Sequence, residues 1–238
     1  MRAIALILAV AISGCAHAFP ITGGDAAVTR SVAQGRQAVE AFFGEPFPAP
    51  VGVVVSHDRA AFDRALPTAW GIAPSQCWMV GVGVADSLYL LDPSVWARDA
   101  CDHSGDAAEV QAIITHELTH AYHGQHNETR DFTGMDDAAW FVEGVAVVVS
   151  GQLDAGHAGD ARAAIATNVA PASLADAWSG RYRYGVSGSM VRFIDQTWGR
   201  HMVLALLAAT SNEQILARLN LSEAEFLRRW RLWISEQP

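Results

Sequence analysis

Charged residues are scarce in this chain, and no run of basic residues occurs anywhere in it. Asp, Glu, Lys and Arg make up 17% of the 238 residues, and the formal net charge is −9. Nucleic-acid binding depends on clusters of Lys and Arg that neutralise phosphates, so this charge pattern excludes a nucleic-acid partner. Hydrophobic residues make up 51% of the chain, which is typical of a folded globular protein rather than a disordered one.

Hydrophobic runs long enough to cross a membrane are also lacking. The apolar run at residues 3–12 is too short to span a bilayer as a helix and follows a basic residue. We therefore predict that residues 1–18 are a signal peptide. Two processing patterns overlap there, because residues 12–15 resemble a bacterial lipobox and residues 16–18 form an Ala-x-Ala cleavage site. We favour the lipobox, and hence an exported, periplasmic protein whose only membrane contact is a lipid on Cys15 at the outer membrane.

Cysteine is rare, with three residues in the chain. Cys15 lies in the predicted signal segment, which leaves Cys77 and Cys101 as an even pair. An exported protein meets an oxidising compartment, and we therefore predict a disulfide between these two residues. Two buried free thiols are the alternative.

Internal repeats and low-complexity linkers are absent, so residues 19–238 are predicted to form one domain. Short apolar runs between turn signals predict strands, and apolar residues at helical spacing predict helices. The predicted strands are 51–55, 79–84 and 87–91, and the predicted helices are 26–43, 58–66, 106–124, 138–150, 186–197, 201–209 and 222–234. This order, with strands early and helices late, predicts an α+β fold.

A His-Glu-Leu-Thr-His sequence begins at His116, inside the predicted helix that starts after Asp106 and ends at Gly124. Residues four apart share one face of a helix, so the imidazoles of His116 and His120 can bind the same metal ion. Glu117 is then placed to accept a proton from an attacking water. Two surface histidines beside an exposed glutamate are the alternative, but the preceding residues are too apolar for a surface helix.

The third protein ligand of a catalytic zinc ion has two candidates. His126 lies ten residues after His116, which is the spacing of the metzincin pattern His-Glu-x-x-His-x-x-Gly-x-x-His, but the glycine here is one place late. Glu143 is the only charged residue in an otherwise apolar predicted helix, and a buried carboxylate needs a cation. An arginine partner would also satisfy Glu143, so the residues alone leave these possibilities open.

Taken together, His-Glu-Leu-Thr-His and the run from Trp140 to Ala146, with Glu143 and a glycine after it, resemble the gluzincins, the clan of thermolysin and aminopeptidase N. The resemblance is strongest to the peptidase-MA-like family of small exported or lipid-anchored bacterial proteins. It extends to residues 184–193 and to the last predicted helix around Trp230. It covers most of the chain from the first predicted strand onward.

The resemblance implies a two-lobed zincin-like fold, with an N-terminal sheet lobe that carries the motif helix and a helical C-terminal lobe. It also implies one zinc ion held by His116, His120 and Glu143, and a peptide substrate bound along an edge strand, which we place at residues 87–91. Tyr184 is the candidate donor to the oxyanion, by analogy with a tyrosine of the aminopeptidases. A tyrosine of the core is the alternative.

We therefore predict a zinc-dependent peptidase that hydrolyses a peptide or protein substrate with Glu117 as general base. The alternative is a non-catalytic envelope binding or assembly protein with a zinc-stabilised, peptidase-like core. Glu117 favours the enzyme, because a structural zinc ion does not need a base.

In one respect the chain departs from thermolysin, which has an Asp four residues after its ligand glutamate where this chain has Val147. The partners that orient the two histidines are therefore not predicted, and neither are the substrate and the oligomeric state.

Overall fold

The computed structural model describes residues 19–237, so the predicted signal peptide and Cys15 lie outside the described residues. The strands are β1 (Ile21–Thr22), β2 (Gly52–Ser56), β3 (Gly81–Val84) and β4 (Ser87–Leu91). The helices are α1 (Ala26–Phe43), α2 (Arg59–Ala65), α3 (Trp96–Asp99), α4 (Ala107–His126), α5 (Ala139–Val149), α6 (Asp160–Ala166), α7 (Arg183–Trp198), α8 (Arg200–Leu206), α9 (Asn212–Leu219) and α10 (Glu223–Glu236). The predicted α+β class is confirmed, because the strands form one small sheet early in the chain and helices follow it.

The sheet has the strand order β1-β2-β4-β3, with β2 parallel to β4 and β3 antiparallel to β4. The prediction that residues 87–91 form an edge strand is wrong, because β4 pairs with a neighbour on each side. Its residues Leu88, Leu90 and Leu91 are fully buried, and a strand of this apolar character is stabilised by such an interior position. The edge that faces the motif helix is β3.

Helix α1 has the predicted bounds and shows why local signals suffice there. The Asp25 carboxylate accepts hydrogen bonds from the amides of Ala27 and Val28, and Gly44 ends the helix in the left-handed conformation. The buried face of α1 packs against α4. At Gly35 a side chain would meet Leu118 and Thr115 at 3.0 and 3.2 Å, so the glycine lets the two helices approach closely.

Helix α4 begins at the predicted cap, since the Asp106 carboxylate accepts hydrogen bonds from the amides of Ala108 and Glu109. It does not end at Gly124, as the sequence predicted, but continues to His126. Gly124 serves a different purpose: a Cβ there would lie 2.9 Å from the Ala85 amide nitrogen and even closer to a loop carbonyl oxygen. The glycine therefore makes room for the β3–β4 turn against α4. Helix α4 also packs against α1 and α5, which places it at the centre of the molecule.

Helices α5 and α7 form the main contact of the helical part. Gly144 packs against the Ser187 carbonyl, and Gly188 packs against Val147, so small residues allow the two backbones to approach. The sequence also predicts that Asp137 caps this helix, but α5 begins after a short 3₁₀ turn at Asp136–Ala138 and has no side-chain cap.

The predicted disulfide between Cys77 and Cys101 is confirmed, with the two Cα atoms 5.3 Å apart. Arg59 holds the same region, because its guanidinium donates to the carbonyl oxygens of Cys77 and Asp99 at 2.9 and 3.1 Å. The disulfide and Arg59 together connect the loop before β3 to the segment that leads into α4.

In the described part of the chain, no single helix has the length and apolar character needed to cross a membrane. The segments Asp136–Val149 and Leu153–Ala166 meet those criteria only as a pair, and they are bent by 99° relative to each other. Most of α5, which belongs to the first segment, is buried in the protein core.

Candidate metal centre

The two histidines of the motif face the same point in space. Both belong to α4, one helical turn apart, and both are buried. The Nε2 atoms of His116 and His120 lie 3.0 Å apart. At this distance one ring can donate its N–H to the other, or the two Nε2 lone pairs can bind one cation together.

Glu143 completes the group from α5. Its Oε2 atom lies 3.4 Å from His116 Nε2 and 3.7 Å from His120 Nε2. Ligand atoms bound to a tetrahedral metal ion at 2.0–2.2 Å are separated by roughly 3.3–3.6 Å, so the triangle is of a size that accommodates such an ion. These three residues could hold a metal ion. The Glu143 side chain is 27% exposed, so the centre opens towards solvent on that side.

The charges of His116, His120 and Glu143 shift the pKa values of Glu143 and His116 towards their charged forms. Burial alone would raise the pKa of Glu143, but the charge of His120 and the close approach of both imidazoles hold it well below its usual range. Burial alone would lower the pKa of His116, whereas the hydrogen bond and charge of Glu143 and the charge of Glu117 raise it. The centre is therefore built to hold positive charge beside an ionised carboxylate.

Glu117 lies against the edge strand β3. The Gly83 amide donates a hydrogen bond of 2.7 Å to Glu117 Oε2, which leaves Oε1 to accept a proton. A Cβ at Gly81 would lie 2.8 Å from Glu117 Cγ, and a Cβ at Gly83 would overlap the Glu117 carbonyl oxygen. The two glycines thus allow the strand to lie directly on the motif helix and to orient this carboxylate.

We expect Gly83→Ala to push β3 away from α4, because the added methyl group meets the helix backbone, which cannot yield as a flexible side chain would. The free energy of unfolding should fall by about 1–3 kcal/mol, the usual range for overpacking. Denaturant unfolding measures this change. Gly52→Ala in β2 is the matched control, since its new Cβ would have one neighbour at an ordinary 3.6 Å; equal losses in the two variants would contradict the close approach.

A partner for His116 is found that the sequence did not predict. His116 Nδ1 lies 2.7 Å from Oε1 of Gln152, which follows α5. His120 differs, because its Nδ1 atom is buried without a hydrogen-bond partner among the described residues. Instead its ring meets Phe132 edge-on, with 6.0 Å between the centroids. Phe132 has a left-handed backbone, with φ of 62°, a conformation that is rare for a bulky residue.

His126, the other predicted candidate for the third ligand, does not join the group. Its ring packs on Tyr122 with 4.5 Å between the centroids. Helix α4 continues through Gly124 and His126, so the sharp turn that the metzincin spacing needs does not form. The structure brings Glu143, not His126, next to the two motif histidines.

Tyr184 lies at the start of α7. Its ring stacks on His157 with 5.3 Å between the centroids, and the edge of Trp178 meets it at 4.8 Å. The next residue, Gly185, packs against Asp160 and the His157 carbonyl oxygen, so Tyr184 lies beside the segment that follows α5. The oxyanion role of Tyr184 stays a prediction.

A third histidine of α4, His123, is buried between Phe132 and Phe141. Neither of its ring nitrogens meets the geometry of a hydrogen bond among the described residues, and the Leu207 carbonyl raises its pKa less than burial lowers it. Burial, with a smaller effect from the charge of His120, lowers the pKa of His123 to about 3. This histidine is therefore neutral, and its polar atoms are a cost to the fold.

We expect His123→Leu to stabilise the metal-free protein by about 1–3 kcal/mol at pH 7, because it removes unpaired buried polar atoms. The gain should increase below pH 6.5, because His123 of the wild-type protein takes up a proton when unfolded but not when folded. The increase should be about 1.4 kcal/mol per pH unit until the pH approaches 3. Denaturant unfolding at several pH values measures it. His201→Leu, at an exposed position, is the control, and a pH-independent difference between His123→Leu and wild type would contradict the assignment.

Comparison of the chain with models of known protein families, with curated proteins and with solved structures gives no match in any of the three.

Proposed function

We propose that the chain is an exported zinc-dependent metallopeptidase that hydrolyses peptide bonds in a peptide or protein substrate. The observation that carries this proposal is the position of Glu117. It lies between the three possible metal ligands and an open strand edge, with one carboxylate oxygen anchored by the Gly83 amide. A base held next to both a metal centre and a peptide-binding edge is the arrangement that hydrolysis of an extended peptide needs.

A purely structural zinc site is supported less well. Structural sites are closed by four protein ligands and commonly include cysteine. The described residues offer a group of three ligands here, and Cys77 and Cys101 are joined to each other. A non-catalytic envelope binding or assembly protein with a zinc-stabilised core is therefore the second candidate.

In the proposed mechanism, His116, His120 and Glu143 hold the zinc ion. When bound, zinc polarises the scissile carbonyl and lowers the pKa of a water towards about 7. Glu117 accepts a proton from the water as the water oxygen adds to the carbonyl carbon. Glu117 then gives that proton to the amide nitrogen as the carbon–nitrogen bond breaks, which releases an amine and a carboxylic acid, and the acid loses its remaining proton to solvent as a carboxylate.

The substrate backbone is proposed to lie along β3. The Leu91 amide donates to the Val80 carbonyl oxygen at 2.9 Å. Because hydrogen-bonding residues alternate along an antiparallel pair, Val80 and Val82 point their backbone groups at β4, whereas Gly81 and Gly83 point theirs outward. An extended peptide can pair with the outward groups of Gly81. The sheet with α4 on one side and helices α5 to α10 on the other would then be the two lobes of a zincin-like fold.

Tyr184 is proposed to donate a hydrogen bond to the oxyanion when substrate is bound. We expect Tyr184→Phe to lower kcat by about 10²–10³-fold, the usual cost of one oxyanion donor. Zinc affinity should not change, because Tyr184 is not among the ligands. Steady-state kinetics and zinc titration measure both quantities, and unchanged kcat would assign Tyr184 to packing only.

The function is tested by incubating the zinc-loaded protein with a peptide library and identifying cleaved bonds by mass spectrometry. We expect cleavage that stops on chelation of the metal and returns with zinc. A protein whose thermal stability rises with zinc, but which cleaves no peptide, would instead support the binding or assembly function.

A further inference from the structure

We propose that Gln152 is a positioning residue that holds His116 in the tautomer a metal ion requires. His116 Nδ1 and Gln152 Oε1 are 2.7 Å apart, in a part-buried position. This inference relies on the proposed metal centre but not on peptidase activity.

The chemistry of the two groups sets the direction of the hydrogen bond. An amide oxygen only accepts, so a neutral His116 that contacts it must carry its proton on Nδ1. The lone pair is then on Nε2, the atom that lies 3.0 Å from His120 Nε2 and 3.4 Å from Glu143 Oε2. The opposite tautomer would put a proton at the metal position.

The Ser150 side chain holds the Gln152 side chain in place. Ser150 Oγ donates to Gln152 Oε1 at 2.9 Å, and the same Oγ atom accepts a hydrogen bond from the Gln152 backbone amide at 3.4 Å. The amide oxygen therefore has two donors, one on α4 and one at the end of α5. Gln152 connects the helix that carries two ligands to the helix that carries the third.

Gln152 is the only polar partner of the two histidine rings, apart from the ligand group itself, among residues 19–237. The Nδ1 atom of His120 has none, and its ring lies against Phe132 instead. Outer partners of this kind contribute about 10–100-fold to metal affinity. Because Gln152 is uncharged, two neutral imidazoles and one carboxylate would leave a bound divalent ion with a net positive charge.

The test compares Gln152→Leu with Gln152→Glu. Leu removes the acceptor, whereas Glu keeps an accepting oxygen at the same chain length and adds negative charge. Competition with a chelator should show zinc bound 10–100-fold more weakly by Gln152→Leu, and at least as tightly as wild type by Gln152→Glu. Gln37→Leu, the same change at an exposed position of α1, is the matched control, and we expect its zinc affinity to equal that of wild type.

A second readout, the nitrogen chemical shifts of His116 in the metal-free protein at about pH 9, reports the tautomer directly. Wild type and Gln152→Glu should show the proton on Nδ1, and Gln152→Leu should show a mixture. Wild-type zinc affinity in Gln152→Leu, or tenfold weaker binding in Gln152→Glu, would overturn the proposal. If wild type itself binds no zinc, the proposed function fails, and the tautomer still decides the role of Gln152.

Discussion

Glu143→Ala should remove most of the zinc affinity and stop hydrolysis. The carboxylate supplies the third ligand atom, 3.4 and 3.7 Å from the two Nε2 atoms, and no other carboxylate of the described residues joins the group. We expect zinc to bind at least about 100-fold more weakly, since loss of a direct ligand exceeds the loss of an outer partner. Metal analysis after dialysis and a chelator titration measure the effect.

The comparison variant is His126→Ala, which removes the residue at the metzincin spacing. Zinc content should change little, because the ring packs on Tyr122 and α4 remains helical through this position. Stoichiometric zinc in Glu143→Ala, combined with its loss in His126→Ala, would reverse the assignment and exclude a gluzincin-like centre.

Glu117→Gln should keep the zinc ion but lose hydrolysis. Gln has the same length and still accepts the Gly83 hydrogen bond, so β3 stays in place, but it cannot take up the proton from the attacking water. Positioned general bases contribute about 10²–10⁴-fold to rate, and we expect kcat to fall by this factor with unchanged zinc affinity.

Glu128→Gln is the matched control for charge. This glutamate follows the same helix and is exposed, so its neutralisation should leave kcat unchanged. Loss of zinc in Glu117→Gln, or turnover equal to wild type, would show that Glu117 is not the base.

Much of the centre was predictable because the signals are local. Spacing within one helix placed His116, Glu117 and His120 together, and the cap at Asp106 set where that helix begins. A lone charge in an apolar helix made Glu143 one of two candidates for the third ligand, and the resemblance to the gluzincins favoured it over His126. The disulfide followed from the number of cysteines and the predicted export.

Other parts depend on contacts between distant segments, which a single sequence does not display. Gln152 is an ordinary polar residue after a helix, and only the packing of α5 on α4 brings it to His116. The edge position of β3 depends on the parallel pairing of β2 with β4, which no local pattern indicates. Its two glycines were a usable signal, because glycine in a strand often marks close approach of another backbone.

The predicted end of helix α4 is wrong for a related reason. Gly124 has the sequence signature of a helix end, yet tertiary contacts at Ala85 and the following loop require it inside α4. Helix α9 is not among the predicted helices, although Ser211 caps it: the Ser211 side chain accepts a hydrogen bond from the Gln214 amide. A Ser followed three residues later by Gln is a capping-box signature, and it could have identified this helix.

X-ray absorption at the zinc edge of the purified, zinc-loaded protein tests the central claim most directly. We expect one zinc ion per chain with two imidazole nitrogens at about 2.0–2.1 Å, oxygen ligands at about 2.0–2.2 Å and no sulfur. Three imidazoles, any sulfur ligand, or a protein that retains no zinc would contradict a centre formed by His116, His120 and Glu143.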